Sequence, residues 1–249
     1  MNATQRETYL LHATLPRHRR RVEQSLRIIE DCFARTASPY IAFSAGKDSS
    51  VLLHLVRSVA PDTPAVWSDD EWHYPETLDL VARTPNCTRI AAQVQHASWF
   101  RSWARGAPLP EGTLWVDAPK NDGLQTHAAA SGYDGVFIGL RADENGRRRT
   151  HLRVHGLLFF ALNYQVWQCN PIGWWTIEDV WAYLLAHDVP YNAAYDRMFD
   201  LGIAPERQRV GPFAVERALG YGQLTILRRG WPELYARFVA EYPEAAGYT

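Results

Sequence analysis

The stretch Tyr40-Ile41-Ala42-Phe43-Ser44-Ala45-Gly46-Lys47-Asp48-Ser49, followed by Val51-Leu52-Leu53-His54-Leu55-Val56, decides the fold. A β-branched and aromatic run, a turn of small residues and an apolar helical pattern read as strand, loop and helix. Such a turn leaves backbone N–H groups free at a helix start, where the dipole favours anions. Gly46 permits close approach of a phosphate, and Lys47 adds a mobile cation. Ser44–Ser49 is therefore read as a phosphate site. It is not a Walker loop, which needs G-x-x-x-x-G-K-[ST], because Asp48 follows the lysine where Ser or Thr is required.

Strands and helices alternate outward from this loop. Pro16–Arg35 carries Val22, Leu26, Ile29 and Phe33 on one helical face. Ser49–Ser58 continues the loop as a helix, Ala65–Trp67 is a second strand, and Glu76–Ala82 is a helix started by Pro75. Arg89–Val94 reads as a third strand, Ser98–Arg105 as a short helix and Gly106–Gly112 as a loop. Asp122–Ser131 reads as a helix closed by Gly132. Val136–Ile138 and Val166–Ile172 read as further strands. Thr176–His187 is a helix capped by Thr176, with Asp179 three positions on. The alternation implies parallel β-α-β units, hence an α/β fold with a doubly wound, mostly parallel sheet and helices on both faces. Its expected organisation is an N-terminal helix over 1–38, an α/β domain over 39–190 and a helical segment over 191–249 that covers the site.

In such sheets ligands sit at the carboxyl ends of strands. Three polar clusters fall there: Ser44–Ser49, Ser68–Glu71 and Gly139–Arg141. Asp69 and Asp70 stand where an acidic group commonly meets a ribose hydroxyl or holds magnesium. Asp48 is the better candidate for holding a metal or orienting a water, because it neighbours Lys47; the alternative is that it only caps the helix. Arg141 and Arg149 present planar forks suited to phosphate or sulfate oxygens. Arg207 and Arg209 are candidate closing cations.

Composition sets limits. The chain has 249 residues, 47% of them hydrophobic, enough for a sizeable core. Its net charge of −1 gives no global field toward nucleic acid. No run of about 18 apolar residues is present, so no membrane span is expected. Met1–Leu15 lacks the apolar core of a signal peptide, and a cytoplasmic location is the expectation. Cys32, Cys87 and Cys169 form no C-x-x-C pair, which argues against a zinc or iron–sulfur cage.

Taken together, S-A-G-K-D-S (44–49), G-L-R-A-D-E-N (139–145), and N-P-I-G-W-W-T-I-E-D-V-W-A-Y-L (170–184) with V-P-Y-N-A-A-Y-D (189–196) resemble the phosphoadenylyl-sulfate reductase family of PP-loop ATP pyrophosphatases. Pro75-Glu76-Thr77 fits the same pattern. The resemblance implies an adenine nucleotide α-hydrolase-like fold with an adenosine nucleotide over the sheet. It implies phosphates on Ser44, Gly46, Lys47, Asp48 and Ser49, and an anionic group on Arg141 and Arg149. Lys47, Asp48 and Arg141 become the catalytic candidates, with Ala45, Asp69, Asp70 and Gly139 completing the nucleotide contacts. Two departures matter. Ala45 replaces a loop glycine and disfavours positive φ, so a slightly different loop is expected there. The reductases' C-terminal cysteine has no counterpart over 208–249. The expected activity is cleavage of Mg-ATP between its α and β phosphates to adenylylate an unidentified acceptor, in sulfur transfer or in modification of a nucleic acid or metabolite. The alternatives are binding of adenylyl sulfate or 3′-phosphoadenylyl sulfate with a partner protein supplying the thiol, and a nucleotide-dependent interaction module. ATP and Mg2+ are the expected cofactors. Homodimers are common among such enzymes, but the sequence leaves the oligomeric state open.

Overall fold

A computed structural model describes residues 1–69, 72–91, 122–211 and 222–248. Asp70, the expected helix over 98–105 and the loop over 106–112 lie outside the described residues. Six strands form one sheet: β1 (Pro39–Ala42), β2 (Ala65–Asp69), β3 (Cys87–Ala91), β4 (Gly135–Ile138), β5 (Leu158–Ala161) and β6 (Val166–Cys169). Their order is β3-β2-β1-β4-β6-β5, parallel throughout except for β5, which runs antiparallel to β6 at the edge. From β1 the chain moves to β2 and β3 on one side, then returns to place β4 on the other. The switch point therefore lies between β1 and β4, where ligands of open α/β sheets bind.

The described helices are α1 (Ala3–Ala13), α2 (Pro16–Phe33), α3 (Lys47–Val59), α4 (Pro75–Arg83), α5 (Asp122–Ala130), α6 (Gly146–His155), α7 (Ile177–Ala186), α8 (Ala194–Asp200), α9 (Gln223–Gly230) and α10 (Pro232–Glu241). Strand alternation sorts the core. Ile41, Phe43, Ala65, Trp67 and Phe137 face the main cluster with α2, α3 and α7 residues such as Ile29, Leu52 and Trp181. Tyr40, Val66 and Val136 face the other way, against Ala128 of α5. Helices thus cover both faces, as the alternation predicts. The main cluster also takes in Tyr9 at one end of the chain and Leu224, Phe238 and Ala245 at the other.

Three expectations need correction. The N-terminal region holds two helices rather than one, because α1 precedes α2 with its own Asn2–Gln5 capping box. An unexpected strand, β5, precedes β6. β3 opens at Cys87, two residues ahead of the expected start at Arg89.

Candidate functional site

The loop between β1 and α3 is closed by one hydroxyl. Ser49 Oγ accepts from the N–H groups of Ser44 (3.2 Å) and Gly46 (3.1 Å) and donates to the Gly46 carbonyl (3.0 Å). Ala45 turns the chain with φ 55° and its methyl is fully buried. Alanine thus adopts the left-handed conformation itself, where a different loop was expected. Gly46 is extended (φ −86°, ψ 162°) and acts as the N-cap of α3.

Sequence reading leaves all the loop's N–H groups to an anion; the structure divides them. Lys47 N–H donates to the Tyr195 hydroxyl at 3.1 Å, so that donor is taken by the protein. Asn192, fully buried, donates from Nδ2 to the Ala45 carbonyl (3.3 Å) and to Thr77 Oγ1 (2.7 Å). The V-P-Y-N-A-A-Y-D stretch is therefore a brace for the loop, anchored through the Pro75-Glu76-Thr77 turn. Glu76 accepts from Trp231 Nε1 at 3.0 Å and so clips the C-terminal helices to the same turn. The supporting roles of Asn192, Tyr195 and Thr77 arise from contacts far apart in sequence.

The charged groups converge on Asp48. Arg141 Nε donates to Asp48 Oδ1 at 2.5 Å, and Lys47 Nζ lies 3.4 Å from Oδ2. Lys47 and Arg141 are buried, whereas Ser44 is exposed at the loop surface. Burial alone raises the Asp48 carboxyl, but the Lys47 and Arg141 charges outweigh it and hold the group below the ordinary carboxylate value. Asp48 is thus an anchor that sets two cations side by side. As arranged it does not fit a protein-held magnesium, since both its oxygens already face cations. Burial raises the Tyr195 hydroxyl, keeping it a neutral acceptor for the loop.

Gly139 brings the end of β4 against this turn. A Cβ there would lie 3.2 Å from Asp48 C and O and 3.3 Å from Ser49 N. Arg141 is held from beyond by Asp143 Oδ2 (3.3 Å), which also accepts from Ile177 N–H at the start of α7 (3.2 Å). The residues after α8 lie over Lys47: its Nζ is 3.5 Å from the Gln208 carbonyl, and Arg209 Nη1 is 3.5 Å from Glu144 Oε1. Arg207 is exposed. Arg149 is exposed on α6, and no hydrogen bond or ion pair among the described residues ties it to the loop. Asp69 ends β2 as expected, but its carboxylate is engaged by Arg89 Nε at 2.8 Å and His73 Nε2 at 2.9 Å.

A second polar cluster lies among α1, α2 and α7. Asp179 Oδ1 accepts from His12 Nε2 (2.9 Å) and His18 Nδ1 (3.0 Å), while Oδ2 accepts from Arg21 and from Thr176 N–H (2.8 Å). Two imidazoles and a carboxylate are a metal-type donor set. Here, however, every donor is spent on the carboxylate, and Arg21 places a positive charge beside it.

The geometry just described coincides with a family match. The phosphoadenosine phosphosulfate reductase domain matches residues 38–206, more than half of the chain. The chain belongs to this family. Its fold also superposes on a phosphoadenylyl-sulfate reductase from Candida auris with a TM-score of 0.54, at 20% identity, covering 76% of this chain and 88% of that one. Among curated members it is 26% identical over 200 residues to sulfate adenylyltransferase subunit 2 of Rhodospirillum rubrum, covering 69% of this chain and 66% of that protein. It is 31% identical over 161 residues to a phosphoadenosine 5′-phosphosulfate reductase of Alkalilimnicola ehrlichii, covering 61% and 62%. The chain therefore spans about two thirds or less of the length of these curated relatives. Relatives named as adenylyltransferase and as reductase occur side by side, so family membership alone leaves the reaction open. No described helix is long and apolar enough to cross a membrane.

Proposed function

We propose that this family member binds an adenosine nucleotide across the β1–α3 loop and catalyses adenylyl transfer from ATP. The observation that carries the reading is the buried pair Lys47 and Arg141, set together on Asp48 at the switch point of the sheet. Two desolvated cations beside a helix N-terminus stabilise charge on phosphate oxygens far more strongly than exposed ones. An acceptor attacks the α-phosphorus, the bond to the β-phosphate oxygen breaks, and pyrophosphate leaves. Lys47 faces the leaving pyrophosphate, Arg141 the α-phosphate, and the Ala45 and Ser49 backbone orients both. Magnesium, carried by the nucleotide's own phosphates, would screen their charge; Asp48 serves to hold the cations.

The cysteines support adenylyl transfer over sulfonate reduction. A reductase needs an accessible thiolate. Cys32 and Cys169 are buried, and burial pushes the Cys169 thiol well above its ordinary value. Cys87 is half-buried at the start of β3, the end remote from the loop, and burial raises its thiol as well. A sulfonucleotide reaction in this site therefore requires a thiol other than these three. The names of the adenylyltransferase relatives, which describe one subunit of an enzyme, are consistent with a partner chain. Incubation with Mg-ATP is expected to yield AMP or an adenylylated product plus pyrophosphate, and Lys47→Ala to abolish it. Release of ADP and phosphate, or unchanged turnover in the variant, would overturn the proposal.

A further inference from the structure

We infer that Asp179, held by His12, His18 and Arg21, is a positioning residue for Arg141. The inference rests on the role proposed above for Arg141. Asp179 is fully buried in the first turn of α7 and closes the capping box with Thr176. Its carboxylate receives both imidazoles, the Arg21 guanidinium, and the N–H and hydroxyl of Thr176. This fixes the first turn of α7 against α1 and α2. The same turn also contacts Asp143 and Arg141. Ile177 N–H donates to Asp143 Oδ2 at 3.2 Å, and that oxygen also accepts from Arg141 Nη1 at 3.3 Å. The Trp175 carbonyl lies 3.5 Å from the same Nη1. Trp175 is in turn pinned from below, by Nε1 donating to Ser25 Oγ of α2 at 3.0 Å and by the His18 ring packed edge-on against it.

Arg141 is thus supported by a turn whose own position is dictated by three side chains of the N-terminal helices. Those helices precede residue 38, where the family match begins, so the side chains that fix the turn from α1 and α2 lie outside the matched domain. A guanidinium must be aimed, not merely present, to meet phosphate oxygens through its planar fork. A buried carboxylate with every oxygen engaged holds the α7 turn in one place, and with it the two acceptors that orient Arg141.

Two measurements test this, the first of them independently of the nucleotide reading. In the nucleotide-free protein, the Arg141 Nη–H resonances, assigned by their loss in Arg141→Ala, are expected to exchange slowly with solvent. Asp179→Asn should speed that exchange at least tenfold; unchanged protection in a folded variant would overturn the inference. Second, Asp179→Asn should weaken Mg-ATP binding about tenfold in the wild-type background and less than twofold in Arg141→Ala. Equal losses in both backgrounds would mean general destabilisation and would also overturn it. Should Asp179→Asn fail to fold, His18→Gln removes one hydrogen bond to the carboxylate together with the ring contact to Trp175, and should give a smaller loss with the same dependence on Arg141. If Arg141→Ala alone leaves Mg-ATP binding intact, the nucleotide reading fails, while the exchange measurement still decides the positioning.

Discussion

Ala45 sits in left-handed backbone, with φ 55° and its methyl fully buried. That conformation costs an L-residue about 1–2 kcal/mol. Glycine would avoid the cost, but it would lose about 0.8 kcal/mol for a buried methyl and about 0.4–1 kcal/mol through a freer unfolded chain. These terms nearly cancel. Ala45→Gly is therefore expected to change stability by less than about 1 kcal/mol in urea unfolding. Ala45→Val adds β-branching at positive φ inside a packed core and should cost about 3 kcal/mol or more. A tolerated valine would show that the loop is not fixed as described. The departure from the family's glycine is thus accommodated by the residue's small size, a conclusion the sequence could not supply because the local φ is set by the brace around it. Asp69 teaches the converse. Its place at a strand end was legible, but its pairing with Arg89 across β2 and β3 was not.

At the scale of elements, Gly139 sets the distance between β4 and the first turn of α3. Its absent side chain would meet backbone atoms of Asp48 and Ser49 at 3.2–3.3 Å, and backbone cannot rotate away as a flexible side chain can. Gly139→Ala should therefore push the loop from β4 and weaken Mg-ATP binding about tenfold, with a stability loss of about 1–3 kcal/mol. Binding equal to wild type would show that the two elements slide independently. Tyr195→Phe leaves the Lys47 N–H without its acceptor and should cost about 1–3 kcal/mol in thermal or urea unfolding; an unchanged midpoint would remove Tyr195 from the loop's support. The strand–loop–helix units were legible because their periodicity switches from two to 3.6 at the loop itself. β5 was not, since 156–177 carries no charge and its apolar run does not alternate cleanly. Neither was α1, in which only Tyr9 and His12 are buried.

Across the whole molecule, the sheet gathers Ser44–Ser49 and Gly139–Arg141 at one edge, which parallel topology alone predicts. The braces come from everywhere else: Asn192 and Tyr195 from beyond α7, Gln208 from beyond α8, and His12, His18 and Arg21 from the N-terminal helices through Asp179. No local pattern could reveal these pairings, because each joins segments more than a hundred residues apart. Asp179 also makes the assembly sensitive to acid. Burial would raise its carboxyl, but hydrogen bonds from His18, Thr176 and His12 and the Arg21 charge hold it well below the ordinary value. A depressed folded value contributes stability that is fully present above the unfolded value of about 3.9 and is lost as pH falls toward the folded value. The difference in melting temperature between wild type and Asp179→Asn should shrink as pH falls below about 4. A difference that stays level or grows below that pH would contradict the depressed carboxylate.

The central claim is that the Ser44–Ser49 loop, with Lys47 and Arg141 anchored on Asp48, binds the phosphates of an adenosine nucleotide. Its most direct test is calorimetric titration of the protein with Mg-ATP and, separately, with 3′-phosphoadenylyl sulfate, using Lys47→Ala as control. Mg-ATP is expected to bind the more tightly, with at least a tenfold loss in the variant. Binding of neither nucleotide at millimolar concentration, or equal binding by Lys47→Ala, would contradict it.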